Sequence, residues 1–288
     1  MVLKFLLGGC FLLSLLTAFV LAPLSQNEMK GTNSGNGNSD QGGKHLRLMT
    51  WNIGNADLET ETRAHDEDLE AVARVILDKD VDAVALQELT GEDQLKRLLG
   101  HLEKRYRGYV CRPGKGDRVE AVLVKDQAER NRKPGVRFSD VSAGDRFAAA
   151  ASFRFQSELP EIVLVSAHAD AFNASRRRSF TEQVVDWARA RGGNQLVFIA
   201  GDFNFEVSVR NRTNLFTDDA KHDSESFAYL LKYFRDFGKD AGETSINNRR
   251  IDYILGPRVT VSTNQAEVLR GAAVGRMDHW PLLVEVEF

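Results

Sequence analysis

Hydrophobic positions along this chain alternate between short apolar runs and helical faces. Residues 46–51 (LRLMTW) predict a strand, and Leu69, Val72, Ala73, Ile76 and Leu77 recur at the spacing of one helical face. The apolar run 81–86 has strand length, and Leu95, Leu98, Leu99 and Leu102 predict a second helix. Further strands are expected at 121–124, 148–155 and 162–165, then a helix from about Ser175 with Phe180, Val184, Trp187 and Ala188 inward. After that come a strand at 196–200, a helix carrying Phe227, Leu230, Leu231 and Phe234, and strands at 251–255 and 282–288. Strands and helices interleave, yet several strands follow one another directly. That argues an α+β or α/β fold with a mixed sheet, or two sheets packed face to face with helices outside.

The first residues differ from all of this. Residues 5–24 are almost wholly apolar after Lys4, about the length that spans a bilayer. Residues 1–24 therefore read as a signal peptide or a membrane anchor. Cleavage after Ala22 would leave Pro23 at the cut, and Cys10 precedes most of the apolar run, unlike a lipoprotein cysteine. The Gly/Asn/Ser-rich stretch that follows has nothing to bury, so 25–45 is expected to be a flexible linker and 46–288 the folded domain. This places the protein in a secreted or periplasmic location, or holds it on a membrane.

Composition narrows the function little. The chain is 288 residues, 42% hydrophobic and 27% charged, with a formal net charge of -3. No global basic excess announces a nucleic-acid binder, so polyanion binding would need basic residues gathered on one face. Arginines do cluster at Arg130 and Arg132, at Arg176, Arg177 and Arg178, and at Arg249 and Arg250, where a solvated face is the plainer explanation. Of two cysteines, Cys10 lies in the apolar run, leaving Cys111 without a disulfide partner in the domain.

More informative is what ends the strands. Asn52 follows LRLMTW, Glu88 follows DAVALQ, His168 follows IVLVSA, and Asp202 with Asn204 follows LVFIAG. Asp252 sits within RIDYIL, and Asp278 and His279 precede PLLVEVEF. Strand exits are where such sheets place active sites. Each residue has a plainer alternative: a turn at Asn52, a helix cap at Glu88 or Asp278, a core histidine at 168, an Asx-turn at Asp202, an ion pair of Asp252 with Arg249 or Arg250, a surface position for His279. Turn chemistry alone does not explain so many exits in one domain.

The ordered motifs TWN, LQE, SAH, GDFN, RIDYIL and DHWP resemble those of the endonuclease/exonuclease/phosphatase superfamily, over the whole stretch 46–288. The resemblance implies a four-layer sandwich, two mixed β-sheets flanked by helices, with the site at one edge of the sheets. It implies a divalent-metal-dependent phosphoesterase using Mg²⁺ or Mn²⁺. Carried over by motif, Glu88 resembles the principal metal ligand, with Asn52 beside it and Asp278 completing the carboxylate side. Asp202 corresponds to the residue that orients or deprotonates the attacking water, and Asn204 to one that contacts water or phosphate. His279 corresponds to the essential histidine, Asp252 to the carboxylate that orients it, and His168 to a second histidine on the scissile phosphate.

Oxygen-rich ligands suit such a hard cation. No cysteine or tight histidine cluster suggests zinc, and no Gly-x-Ser-x-Gly elbow supports a serine nucleophile. The family carries a Tyr or Glu on a strand between the QE and His motifs, and here either Arg118 or Glu120 could fill that place. Asp170 would face the same side as His168 in an extended segment.

Arg176 to Arg178 open a helix after the His168 strand and are expected near the rim of the site, where Arg176 and Arg178, with Arg118, are candidate phosphate contacts. Ser175 would cap that helix if the arginines form only a solvated face. The expected substrate is a phosphodiester, nucleic acid before lipid; a membrane-associated phospholipid or sphingomyelin phosphodiesterase and a small-molecule phosphatase are the alternatives, and a non-catalytic tethered module the remotest. Two glycosylation triplets begin at Asn173 and Asn211.

Overall fold

A computed structural model describes residues 45–54, 56, 66–126, 135–207, 220–246, 248–258, 262–272 and 275–288. The apolar segment and the linker expected at 25–45 lie outside the described residues, apart from His45, which opens the first strand. Among the described residues no helix is long and apolar enough to cross a membrane.

The elements run β1 (His45–Asn52), α1 (Glu67–Asp78), β2 (Ala83–Leu89), α2 (Glu92–His101), β3 (Tyr106–Val110), β4 (Val119–Lys125), β5 (Arg137–Ala143) and β6 (Arg146–Phe153). They continue with β7 (Glu161–His168), α3 (Ala174–Arg189), β8 (Gln195–Asp202), α4 (Ala220–Tyr233), β9 (Phe234–Asp236), β10 (Asp252–Pro257), β11 (Ser262–Val268) and β12 (Leu282–Glu287). They form two six-stranded mixed sheets, ordered β11-β12-β1-β2-β4-β3 and β5-β6-β7-β8-β10-β9. Each has one parallel pair at its centre, β1 with β2 and β7 with β8, and antiparallel pairs elsewhere. The helices α1 and α3 make the crossovers that a parallel pair requires. This is the four-layer sandwich of two mixed sheets flanked by helices.

The sheets meet across an apolar interior that includes Leu48, Leu86, Leu123, Leu164 and Phe198, all fully buried. A polar link crosses it: Gln87 Nε2 donates to Ser166 Oγ at 2.9 Å, and Ser166 Oγ donates to the carbonyl of Leu86 at 2.8 Å. A satisfied buried pair of this kind fixes the register of β2 against β7, because sliding either strand would strand both groups without partners. A second apolar layer, with Phe180, Val184, Val185 and Leu230, seals the outer face of the β7–β8 sheet under α3 and α4.

Helix α3 differs from expectation at its start. It begins at Ala174, and the Asn173 side chain, not Ser175, caps it by accepting the Arg176 N–H at 2.9 Å. Phe234, expected on the fourth helix, instead opens β9. Trp187 is only partly buried, with the Arg191 guanidinium 3.6 Å from its ring centre.

Candidate active site

Three strands of the second sheet deliver one row of side chains. His168 pairs with Asp202 across β7 and β8, and Asp202 pairs with Asp252 across β8 and β10. Directly paired residues face the same side of a sheet, so the three stand in a line at its end. The line exists because β7 and β8 approach closely at Ala167 and Gly201. A Cβ on Gly201 would lie 1.8 Å from the Ala167 carbonyl oxygen, so the glycine of GDFN is a packing requirement.

The first sheet supplies the opposite wall. Between Leu86–Ala121 and Leu89–Val119, the β2–β4 register slips, so Gln87 and Glu88 together oppose Glu120. This bulge separates two neighbouring jobs: Gln87 turns into the sandwich, while Glu88, at φ 63°, is re-aimed to the strand mouth. There Asn52 Nδ2 donates to Glu88 Oε1 at 2.9 Å and to Asp202 Oδ2 at 3.1 Å, tying the two sheets together. Asn52 Oδ1 accepts the Gly54 N–H at 2.9 Å. A Cβ on Gly54 would come within 2.3 Å of Glu88 Oε2 and 3.0 Å of Asn52 Oδ1, so only glycine leaves room for the carboxylate.

His279 closes the site from the segment before β12. Its Nδ1 lies 2.9 Å from Asp252 Oδ2 and its Nε2 3.6 Å from Asp202 Oδ2. Its backbone is held by the buried Trp51 indole, which donates to the His279 carbonyl at 3.1 Å, and by a bridge to Ser245. Thr244 Oγ1 accepts the N–H groups of Ile251 and Asp252, at 3.2 and 3.1 Å, and so orders the start of β10.

His168 is surrounded by acids. Its Nε2 lies 3.7 Å from Glu88 Oε1 and 3.8 Å from Asp202 Oδ2, and its Nδ1 lies 3.6 Å from Glu120 Oε1. Asn204, another non-glycine residue at positive φ (54°), places its Nδ2 3.2 Å from His168 Nε2 and donates to the Ala169 carbonyl. Burial opposes protonation of His168, but Glu120, Asp202 and Glu88 outweigh it and lift its pKa to about 9. At His279 burial again opposes the charge, and Asp252 and Asp202 raise the pKa to about 10. Burial pushes the Asp252 carboxyl up, against the attraction of His279.

The donor set fits a hard divalent cation. Glu88, His168 and Asp202 offer ligand atoms within 4.8 Å of one another, as do Asp202, Asp252 and His279. Carboxylates at 88, 120, 202 and 252 outnumber the two imidazoles, and the Glu88 side chain, 30% exposed, is open to an ion from solvent. Asp278 stands differently. Its backbone carbonyl accepts the Ile246 N–H and its charge helps raise the His279 pKa, but its carboxylate makes no hydrogen bond or ion pair among the described residues.

Of the two candidates for the intervening strand position, Glu120 faces His168, and it also accepts from the Cys111 thiol at 3.3 Å. Arg118, two residues earlier and half-buried, makes no ion pair or hydrogen bond among the described residues. Asp170 turns away from His168: it accepts the N–H groups of Phe172 and Asn173 and lies 3.2 Å from the Arg176 guanidinium. Arg177 corrects the expectation of a three-arginine rim. It lies on the inward face of α3 with Phe180, Thr181 and Val184, and is buried against Asp223 at 2.7 Å. Arg178 is engaged by Glu182 at 2.9 Å and by Glu225. Arg250, considered as an Asp252 partner, instead grips both oxygens of Asp236 at 2.8 and 2.7 Å.

Gly54, Thr244 and Ser245 lie outside the motifs, and Trp51, inside TWN, carried no assigned role. Only the glycine two residues past Asn52 carried a signal, as a position where backbone must approach a side chain closely.

Comparison with known proteins bears on the fold and the family. The model of the Endonuclease/Exonuclease/phosphatase family matches residues 49–275. Comparison with curated protein sequences gives no significant match. Among solved structures, an endonuclease/exonuclease/phosphatase from Bacteroides vulgatus is similar at TM-score 0.65 and 17% identity, over 85% of this chain and 99% of that one. The catalytic domain of human Nocturnin, solved with a bound sulfate anion, is similar at 0.63 and 17%, over 85% and 93%. TDP2 from Caenorhabditis elegans is similar at 0.60 and 17%, over 85% and 75%. With the family model matched over most of its length, this chain belongs to the endonuclease/exonuclease/phosphatase family, whose members are generally divalent-metal-using phosphoesterases.

Proposed function

We propose that this protein hydrolyses phosphoester bonds, phosphodiesters foremost, by in-line attack of water. The observation that carries this reading is Asp202, a buried carboxylate placed between two imidazoles that both favour their protonated forms. Asp202 Oδ2 orients the attacking water and draws off its proton. His168 and His279 donate to the phosphoryl oxygens where negative charge accumulates, and Asp252 holds His279 in the orientation that keeps Nε2 toward the reaction. Asn204, anchored on Ala169, supplies a further amide at the same oxygens. Glu88, with Asn52 and Asp202 beside it, would hold the divalent cation, Mg²⁺ or Mn²⁺. Bound there, the cation supplies positive charge to the phosphate oxygens in a poorly hydrated site.

Nucleic acid is the substrate class this reading prefers. Phe172 is 75% exposed on the loop that follows His168, and Ile246 is 54% exposed beside the Asp278–Trp280 segment. The exposed Phe172 ring suits stacking on a base, while Ile246 offers apolar contact only. Arg118 is the candidate phosphate contact with no internal partner among the described residues, whereas Arg176 and Arg178 would have to leave Asp170, Glu182 and Glu225. The apolar residues 5–24 and the polar stretch after them support action outside the cytoplasm or at a membrane surface.

The test is a substrate panel for the full-length protein: plasmid DNA, RNA, sphingomyelin and a nucleoside monophosphate, each with Mg²⁺ and with EDTA. Magnesium-dependent cleavage of plasmid or RNA supports the reading as stated. Lipid cleavage alone moves the substrate to the membrane, and no cleavage of any phosphoester sinks the proposal.

A further inference from the structure

Three arginines in and around the site are largely buried, and two are paired with carboxylates. Arg177 pairs with Asp223, and Arg250 pairs with Asp236 through Nη2 while lying 4.5 Å from the Tyr253 ring centre, although its Nε, like that of Arg249, is buried without a partner. Arg249 is different. Only 4% exposed, it has no carboxylate within ion-pair distance and no side-chain hydrogen bond among the described residues, and its Nε is buried without a partner. A buried guanidinium nitrogen left without a partner is unfavourable unless something arrives to pair with it.

Its position shows where that something would come from. Ser245 bridges Arg249 on one side and His279 on the other, both antiparallel. The bonds from Ile246 N to Asp278 O and from Trp280 N to Thr244 O make Ser245 and His279 a non-hydrogen-bonded pair, the closer of the two antiparallel arrangements. Residues opposite one another in a ladder send their side chains to the same face. Arg249, Ser245 and His279 therefore form a row on the face from which His279 reaches Asp202. Ser245 is 3% exposed, and its hydroxyl too has no hydrogen bond among the described residues. The Arg249 charge is disfavoured by burial, with Asp202 and Glu206 its main compensation, which sets it close to the site but paired with neither.

We propose that Arg249, with the Ser245 hydroxyl beside it, forms a phosphate-binding arm of this site. The guanidinium offers donors in a planar fork suited to two phosphate oxygens, and the hydroxyl adds another between it and His279. The inference rests on the phosphoesterase reading for its substrate, but it concerns binding of the anion and not the attack of water. Arg177 and Arg250 serve as internal comparisons, since an arginine with a structural task in this chain carries a carboxylate with it.

Titration calorimetry of inorganic phosphate into the full-length protein, in magnesium buffer, tests it. Wild type should bind, Arg249→Met should bind at least tenfold more weakly, and Arg249→Lys and Ser245→Ala should fall between. Without phosphate, Arg249→Met should melt at or above the wild-type temperature, because an unpaired buried charge has been removed. Unchanged phosphate affinity in Arg249→Met overturns the proposal, as does a wild type that does not bind. If that variant fails to fold, unchanged affinity in both Arg249→Lys and Ser245→Ala overturns it equally. Hydrolysis by wild type with unaltered phosphate binding in Arg249→Met would remove this arm and leave the esterase. Phosphate binding lost in the variant, with no phosphoester cleaved by wild type, would do the reverse.

Discussion

The imidazole of His279 stands between two buried carboxylates, its Nδ1 2.9 Å from Asp252 and its Nε2 3.6 Å from Asp202. Its folded pKa of about 10 lies above the ordinary 6.5, so the stabilisation it brings is fully present below pH 6.5 and is lost as pH rises through about 10. In metal-free protein, NMR titration of this imidazole should show no midpoint between pH 5 and 8. Asp252→Asn should bring the midpoint down into that range and slow turnover, by less than the roughly hundred- to ten-thousandfold of losing a general acid outright, because the imidazole itself remains. A His279 midpoint near 6.5 in wild type would contradict the assignment.

Glu120 acts on the other histidine. Replacing it with Gln keeps the shape and removes the carboxylate whose hydrogen bonding does most to raise His168 from 6.5 to about 9. The His168 midpoint should fall while that of His279 stays in place. Equal movement of both would mean that the change reports on the fold and not on the pair.

Two glycines should fail in different ways. Gly201→Ala drives a Cβ to 1.8 Å from a backbone carbonyl, which cannot step aside, and should cost several kcal/mol of stability. Gly54→Ala meets the end of the Glu88 side chain at 2.3 Å, which can swing away. That variant should keep its melting temperature within a few degrees yet lose most magnesium affinity. Thermal melts with and without Mg²⁺ separate the two; a Gly54→Ala protein with wild-type metal affinity would argue against Glu88 as the ligand.

Much of this architecture was legible in the residues. The strands at 46–51, 81–86, 121–124, 162–165 and 196–200 carried near-continuous apolar runs, as strands buried on both faces do. The strands β3, β5, β9 and β11 were not visible, because they lie at or near sheet edges and mix polar with apolar residues. The motif residues that the structure brings together, Asn52, Glu88, His168, Asp202, Asn204, Asp252 and His279, could be named as strand ends. Their separation into a row and an opposing wall could not, since it depends on strand order and on the bulge at Glu88. The arginine cluster misled at Arg177 because a charge run gives no sign of which member lies on the buried face of its helix, and the acid that receives it, Asp223, is far along the chain.

That buried pair gives a stability prediction. Arg177→Ala breaks the buried pair with Asp223 and should destabilise by about 3–5 kcal/mol. Arg178→Ala, on a half-exposed ion pair, should cost far less. Chemical denaturation of both measures the contrast, and similar losses would place Arg177 at the surface.

In the proposed reaction Asp202 activates water beside a divalent cation. The most direct measurement is hydrolysis of bis(p-nitrophenyl) phosphate by the full-length protein, as wild type and as Asp202→Asn, in Mg²⁺ and in EDTA. Wild type should release p-nitrophenol in Mg²⁺ and little in EDTA, and Asp202→Asn at least a hundredfold less, with the melting temperature of the variant close to wild type. Turnover that survives EDTA, or that survives in Asp202→Asn, would contradict this reaction.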